Sequence, residues 1–156
     1  MTEPPLTEED ALARALAEAE AAARRGEVPV GAALLDAGGG LLAADGNRIR
    51  ELRDPTAHAE MLVLRAGAAR LGNERLIGTR LFVTLEPCAM CAGAISLARV
   101  ARLVYGATDP KGGGVAHGAR VFDQPTCHHR PEVARGGAAE AAAAGALLKA
   151  FFAARR

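Results

Sequence analysis

Apolar positions along this chain follow two periods, helical and alternating, and the switches between them mark out the elements. Over residues 7–25, Leu12, Leu16, Ala19 and Ala23 fall on one stripe at helical spacing. Thr7 stands where an N-cap belongs, Asp10 follows in capping-box position, and Leu6 precedes the cap. Residues 28–35 and 41–48 then read as two strands about the turn Asp36-Ala37-Gly38-Gly39-Gly40. No Gly-Lys-Ser/Thr follows those glycines, so they make a hairpin and not a phosphate loop. Helical spacing returns over 55–70, where Met61, Leu62, Leu64 and Ala68 supply a buried side. A connector, 71–80, leads to the buried strand Leu81 to Leu85. Pro87 opens a helix over 88–98, and residues 102–105 form a short strand.

The glycine-rich stretch 108–122 reads as a long loop, a form that is usually functional or disordered. A last turn at Val121-Phe122 and an edge strand around Val133 follow. After Gly136-Gly137 an alanine-rich helix, 138–156, carries Leu147, Leu148, Phe151 and Phe152 on its apolar face. The hairpin requires antiparallel pairing. The later alternation of strand and helix requires parallel strands with right-handed crossovers. The expected fold is therefore α/β, with a mixed sheet and helices on both faces.

Length and composition narrow this picture. With 156 residues the chain makes one domain, 1–156, with residues 1–6 expected to be disordered. Half the residues are hydrophobic but Trp is absent, so the core must be mostly aliphatic. No apolar run is long enough to span a bilayer, so no membrane partner is expected. The start lacks the apolar stretch of a secretory signal. Of three cysteines, two lie in Cys88-Ala89-Met90-Cys91, which points to metal binding in a reducing, cytoplasmic setting rather than to a disulfide scaffold. A formal net charge of +1 argues against a general nucleic-acid binder, and no DNA partner is expected. A local basic rim remains open through Arg48, Arg50 and Arg53; the ordinary alternative is that these are solvated charges.

The candidate chemistry lies in two stretches, Thr56-Ala57-His58-Ala59-Glu60 and Glu86-Pro87-Cys88-Ala89-Met90-Cys91. His58, Cys88 and Cys91 offer one imidazole and two thiols, three ligands for a tetrahedral zinc with a fourth position open. An open position marks a catalytic metal site. A helix starting near Asp54-Pro55-Thr56 would place His58 and Glu60 in its first turns, about 200° apart. His58 could then ligate while Glu60 reaches the reacting water as general acid and base. The positive end of the second helix would stabilise both thiolates.

His-x-Glu followed by Pro-Cys-x-x-Cys resembles the zinc-dependent nucleobase deaminases. The longer segments Glu27-Val28-Pro29-Val30-Gly31-Ala32, Asp54 to Glu60 and Val83 to Ala94 are similar to the bacterial tRNA-specific adenosine deaminases, as is the ending Phe151-Phe152 with Arg155-Arg156. That resemblance implies a cytidine-deaminase-like three-layer α/β/α sandwich with a mixed five-stranded sheet. It implies one Zn2+ per chain on His58, Cys88 and Cys91, with Glu60 catalytic. The implied reaction is hydrolytic deamination of adenosine to inosine at the wobble position of a tRNA anticodon stem-loop, by a homodimer. Substrate contacts are implied for Val30, Asn47 and Ala59, for Asp109 and Lys111, and for Phe151, Phe152 and Arg155. Read without the resemblance, Asn47 is a strand-end residue bonding its own turn, and the Phe pair is core packing or a dimer contact.

The chain departs from that family at Cys127-His128-His129, at Ala150 and at Ala11. These changes are expected at an RNA-facing rim, with the Cys-His-His triplet in an exposed loop. Three other readings stay open. A free-base or nucleoside deaminase would use the same scaffold. A non-catalytic zinc-containing RNA-binding subunit would leave Glu60 without purpose. A thiol redox protein would leave both His58 and Glu60 unexplained.

Overall fold

The computed structural model describes residues 4–155 of the chain. The first helix, α1 (Glu8–Arg24), starts at the expected cap: Asp10 N–H donates to Thr7 Oγ1, and Thr7 N–H to the Asp10 carboxylate, each at 3.0 Å. Leu6, expected within a disordered start, is half-buried beside Leu12 and Phe82 and donates its N–H to Gly39 O at 3.0 Å. Residues 1–3 of that expectation lie outside the described residues.

Five strands form one sheet in the order β2-β1-β3-β4-β5. The hairpin strands β1 (Gly31–Leu35) and β2 (Leu41–Gly46) are antiparallel, closed by Asp36, whose Oδ1 accepts from the N–H groups of Gly38 and Gly40. Strand β3 (Arg80–Leu85) pairs antiparallel with β1 and parallel with β4 (Arg102–Ala107), which pairs parallel with β5 (Glu132–Arg135). The sheet is mixed, as expected. β1 begins later than 28 because Pro29 has no N–H for a ladder.

Alternate residues of the central strands feed two cores. Leu34, Leu81, Val83 and Leu103 point to the side covered by α2 (Ala59–Leu71) and α3 (Ala89–Leu97). Leu35, Phe82 and Val104 point to the side covered by α1 and α4 (Ala138–Ala153). That is a three-layer α/β/α sandwich, and burial on both faces explains why β1 and β3 read as unbroken apolar runs. The C-terminal helix ends at Ala153, short of the expected 156, and Arg156 lies outside the described residues. Val121-Phe122 forms a single 3-10 turn, Val121–Asp123, packed on α3.

The buried stripe of α1 is Ala11, Leu12, Ala15, Ala19 and Ala22, so the expected Leu16 and Ala23 sit at its margin. The reason is close packing. A Cβ at Gly31 would lie 1.9 Å from the Ala15 carbonyl oxygen and 2.6 Å from Ala19 N. Small residues on both surfaces let α1 lie directly on β1. Gly31→Ala should therefore overpack this contact and cost about 1–3 kcal/mol. Urea unfolding of the zinc-loaded protein checks this; an unchanged midpoint would mean that the helix shifts at no cost. Ala11 belongs to the same interior, fully buried, and so is not a rim position.

Candidate active site

The two candidate stretches meet at the N-termini of α2 and α3. His58 is the N-cap of α2 and Cys88 the N-cap of α3, and neither side chain caps its own helix. For α2, Asn47 does this from beyond the end of β2: its Oδ1 accepts the Ala59 N–H at 2.8 Å. The imidazole is thereby left free for other work. The expected start of α2 at residue 55 is corrected: Asp54 Oδ1 takes the Thr56 N–H and hydroxyl, closing a turn before the helix begins. Helical geometry does not separate His58 from Glu60, since His58 is extended and Glu60 lies in the first turn. Starting at Ala59 also turns Glu60, Val63, Leu64 and Gly67 inward, with Met61 and Leu62 only half-buried.

His58 Nδ1 lies 3.7 Å from Cys88 Sγ and 3.5 Å from Cys91 Sγ. The ligand atoms of these three residues all lie within 4.8 Å of one another, the one such group among the described residues. A hydrogen bond from Cys91 holds the Cys88 thiol down to about 4, with His58 assisting. Cys91, giving that proton and buried, is pushed up. The hydrogen bond to Cys88 also raises the His58 imidazole. Two helix N-termini add their positive ends. Beside them stands Glu60, buried and pushed up by that burial, its Oε1 without a hydrogen-bond partner among the described residues. Two sulfurs and a nitrogen converging on one point, next to an unpaired buried carboxylate oxygen, fit a zinc ion with one position left open.

The ligand group opens into a cavity of about 300 Å³, the lower end of the range for small-molecule sites. Its walls include Val28, Val30, Asn47, Ile49, His58, Glu60, Leu85, Glu86, Cys88, Asp109 and Gly112. Apolar side chains share these walls with a few polar groups, the make-up of a small-molecule site.

The zinc-binding region of the cytidine and deoxycytidylate deaminases matches residues 6–107, which contain every residue of the ligand group. The chain belongs to this deaminase family. A tRNA-specific adenosine deaminase from Agrobacterium fabrum is 56% identical over 143 residues, 91% of either chain. A solved structure from studies of A-to-I editing by tRNA:A34 deaminases at the wobble position of transfer RNA is 57% identical, with a TM-score of 0.79 over 81% of this chain and 96% of that one. A guanine deaminase from Nitrosomonas europaea is 26% identical, with a TM-score of 0.78 over 96% of this chain and 86% of its own.

Within this deaminase the expected substrate residues divide. Val30, Asn47 and Asp109 line the cavity. Ala59 does not line it; it is buried, its N–H taken by Asn47. Lys111 is exposed, its backbone N–H bonded to Asp109 Oδ1. Phe151 is buried in α4, and Phe152, half exposed, meets it edge-on at 5.4 Å. Arg155 stacks 3.4 Å over the Phe151 ring. None of these three lines the cavity.

Two expectations about polar residues are revised. Arg48 is committed to Asp45 and Glu51, which removes it from a free basic rim. Only His128 of the Cys-His-His triplet is exposed. The Ser96 hydroxyl donates to His129 O at 2.7 Å, His129 Nε2 meets Val100 O at 2.7 Å, and Cys127 Sγ lies 3.5 Å from Ser96 Oγ. Cys127 and His129 thus pin their loop to the end of α3. Sequence reasoning also missed two buried acids. Glu27 accepts from the N–H groups of Arg50 and Glu51, fixing the loop that carries Ile49. Glu86 does the same for the loop that carries Asp109. Burial works against its charge, but the amides of Asp109, Val115 and His117 and the His117 ring hold its carboxyl below the usual carboxylate range.

Proposed function

We propose that this deaminase converts the wobble adenosine of a tRNA anticodon loop to inosine, with His58, Cys88 and Cys91 holding one zinc and Glu60 moving the protons. The observation that carries this reading is Glu60 Oε1, a buried carboxylate oxygen held without a partner beside the ligand group. Leaving such an atom unpaired costs free energy, and a structural metal site gains nothing from it. When bound, the metal supplies Lewis acidity that makes water nucleophilic near neutral pH.

The chain's own residues do the rest. Glu60 accepts a proton from the attacking water and delivers it to N1 of the base as C6 becomes tetrahedral. It then carries a second proton to the exocyclic amine, which leaves as ammonia, and C6 becomes a carbonyl. Burial raises Glu60's proton affinity, which suits a group that must both take and return protons. With its Oδ1 fixed on α2, Asn47 keeps its amide nitrogen in register to donate to the base. Val30 and Ile49 supply apolar walls against the ring.

The RNA assignment is supported by the tRNA-specific relatives and by the resemblance carried by Glu27 to Ala32 and by the Phe151-Phe152 ending. Anticodon-loop bases are single-stranded and can be splayed into such a cavity. Phe152 near the end of α4 offers an exposed aromatic edge and Arg155, just beyond that end, a cation, suited to the loop away from the reacting base. We also propose a homodimer. The partly apolar shallow face between α2 and α3, with Met61, Leu64, Ala94 and the exposed Leu97, is suited to a second copy. We propose a cytoplasmic setting, where tRNA is found; no helix among the described residues is long and apolar enough to cross a membrane.

The test compares substrates. An RNA hairpin with a wobble A should be turned over well, free adenosine poorly, and free guanine or cytosine not at all. Equal or faster turnover of free guanine would move the protein to the free-base branch, which shares the scaffold.

A further inference from the structure

Glu86 lies at the end of β3, two residues before Cys88, with its side chain fully buried. Its Oε1 accepts the Asp109 N–H at 3.0 Å and meets His117 Nδ1 at 2.8 Å. Its Oε2 accepts the N–H groups of Val115, Ala116 and His117 at 3.2, 3.0 and 3.1 Å. One carboxylate thus gathers donors from both ends of a segment that has no helix or strand of its own. Between those ends, a Cβ at Gly113 would lie 2.3 Å from Oε2 and 2.5 Å from the Asp109 carbonyl oxygen, so only glycine lets the loop close on the charge. The same segment contributes Asp109 and Gly112 to the cavity wall.

We infer that Glu86 is a positioning residue for deamination: its carboxylate, with His117, folds residues 109–117 into the wall that holds the reacting base. This rests on the proposed function. Both oxygens of Glu86 are occupied by N–H donors, so it has no free acceptor with which to shuttle protons as Glu60 does. Its place in the chain explains its use. The strand end that presents Cys88 also presents the anchor of the wall, so wall and reacting centre are held in register by two residues of backbone. A loop of glycines has few apolar side chains with which to dock, and inward-turned amides around a buried charge replace them. The wall contacts the bound base before and during reaction alike, so loosening it weakens binding first.

The experiment uses the zinc-loaded protein and a wobble-A anticodon stem-loop. Glu86→Gln keeps the shape but turns a donor towards the ring of donors. Gly113→Ala pushes on the same oxygen from the loop side. His117→Ala removes one charge-assisted bond, and His117→Asn keeps a donor near the position of Nδ1. Glu86→Gln and Gly113→Ala should raise KM roughly tenfold or more, the equivalent of one lost charge-assisted hydrogen bond, with kcat per zinc changing less. His117→Ala should follow in the same direction, and His117→Asn should recover most of the loss. Hydrogen exchange of the 115–117 amides should quicken while zinc content holds. Lower melting temperatures with KM unchanged would overturn the inference, making Glu86 a purely structural anchor. So would a failure of His117→Asn to improve on His117→Ala. Should Glu86→Gln not fold, the His117 pair and Gly113→Ala carry the same decision. A wild type that leaves the stem-loop untouched defeats the proposed function instead, and hydrogen exchange over 109–117 still decides whether Glu86 anchors the loop.

Discussion

Glu60→Gln should yield a folded, zinc-loaded, RNA-binding protein that does not deaminate. Gln keeps the volume of Glu and a carbonyl oxygen at one position, but it cannot accept and return a proton. General acid-base groups contribute about 10²- to 10⁴-fold. Here one carboxylate serves the attack, the protonation of N1 and the loss of ammonia, so the fall in kcat should reach the upper end of that range or beyond. Stability should rise slightly or stay level. Glu60 is buried with an unpaired oxygen, and replacing it by a neutral amide relieves part of a desolvation cost. Zinc stoichiometry, thermal unfolding and affinity for the stem-loop are measured beside turnover. Loss of zinc would make Glu60 a ligand, and near-normal turnover would place the proton carrier elsewhere.

Removing a thiolate should act in the opposite way, on the metal and the fold first. Cys88 and Cys91 sit within one turn at the start of α3, and His58 Nδ1 faces both sulfurs. The hydrogen bond between the two thiols lowers Cys88 and raises Cys91, with burial adding to the rise in Cys91. Metal binding is worth on the order of 10 kcal/mol in small zinc domains, and it is gained only by the folded chain. Cys91→Ala should therefore lose the metal, all turnover and much of the stability, with Cys88→Ala close behind. Elemental analysis and chelator-dependent unfolding check this together. Full zinc occupancy in the double variant would exclude both sulfurs as ligands. The contrast with Glu60→Gln is diagnostic: one change spares the metal and stops proton transfer, the other removes the metal itself.

What could be read in the sequence follows how each residue does its work. His58, Glu60, Cys88 and Cys91 were legible because metal ligation fixes residue type and spacing, whatever the backbone does between them. The α/β layering was legible because both faces of β1 and β3 are buried and leave apolar runs. The start of α2 was misread because Asp54-Pro55-Thr56 carries the chemistry of a helix cap, while Asp54 spends it on a local turn. The helix is capped instead by Asn47, twelve residues from Ala59, and no local pattern records such a partnership. Glu27 and Glu86 escaped for a related reason. Glu27 binds only backbone amides, which every residue carries, and among Glu86's partners the His117 ring is the one side chain, far along the sequence. Cys127 and His129 looked like loop residues because their partners, Ser96 and Val100, are an ordinary hydroxyl and a carbonyl some thirty residues away. Ala11 reads as a surface change in a sequence and as an interior one only once α1 is seen to lie directly on the sheet.

The most direct test of the central claim is sequencing of unmodified tRNA after incubation with the zinc-loaded protein, with Glu60→Gln run in parallel. Inosine pairs as guanosine does during reverse transcription, so a converted wobble adenosine reads as G at that one position. Conversion by wild type, confined to the wobble adenosine and absent with Glu60→Gln, is the expected result. Wild-type protein that carries its zinc and leaves every anticodon adenosine unchanged would contradict the account.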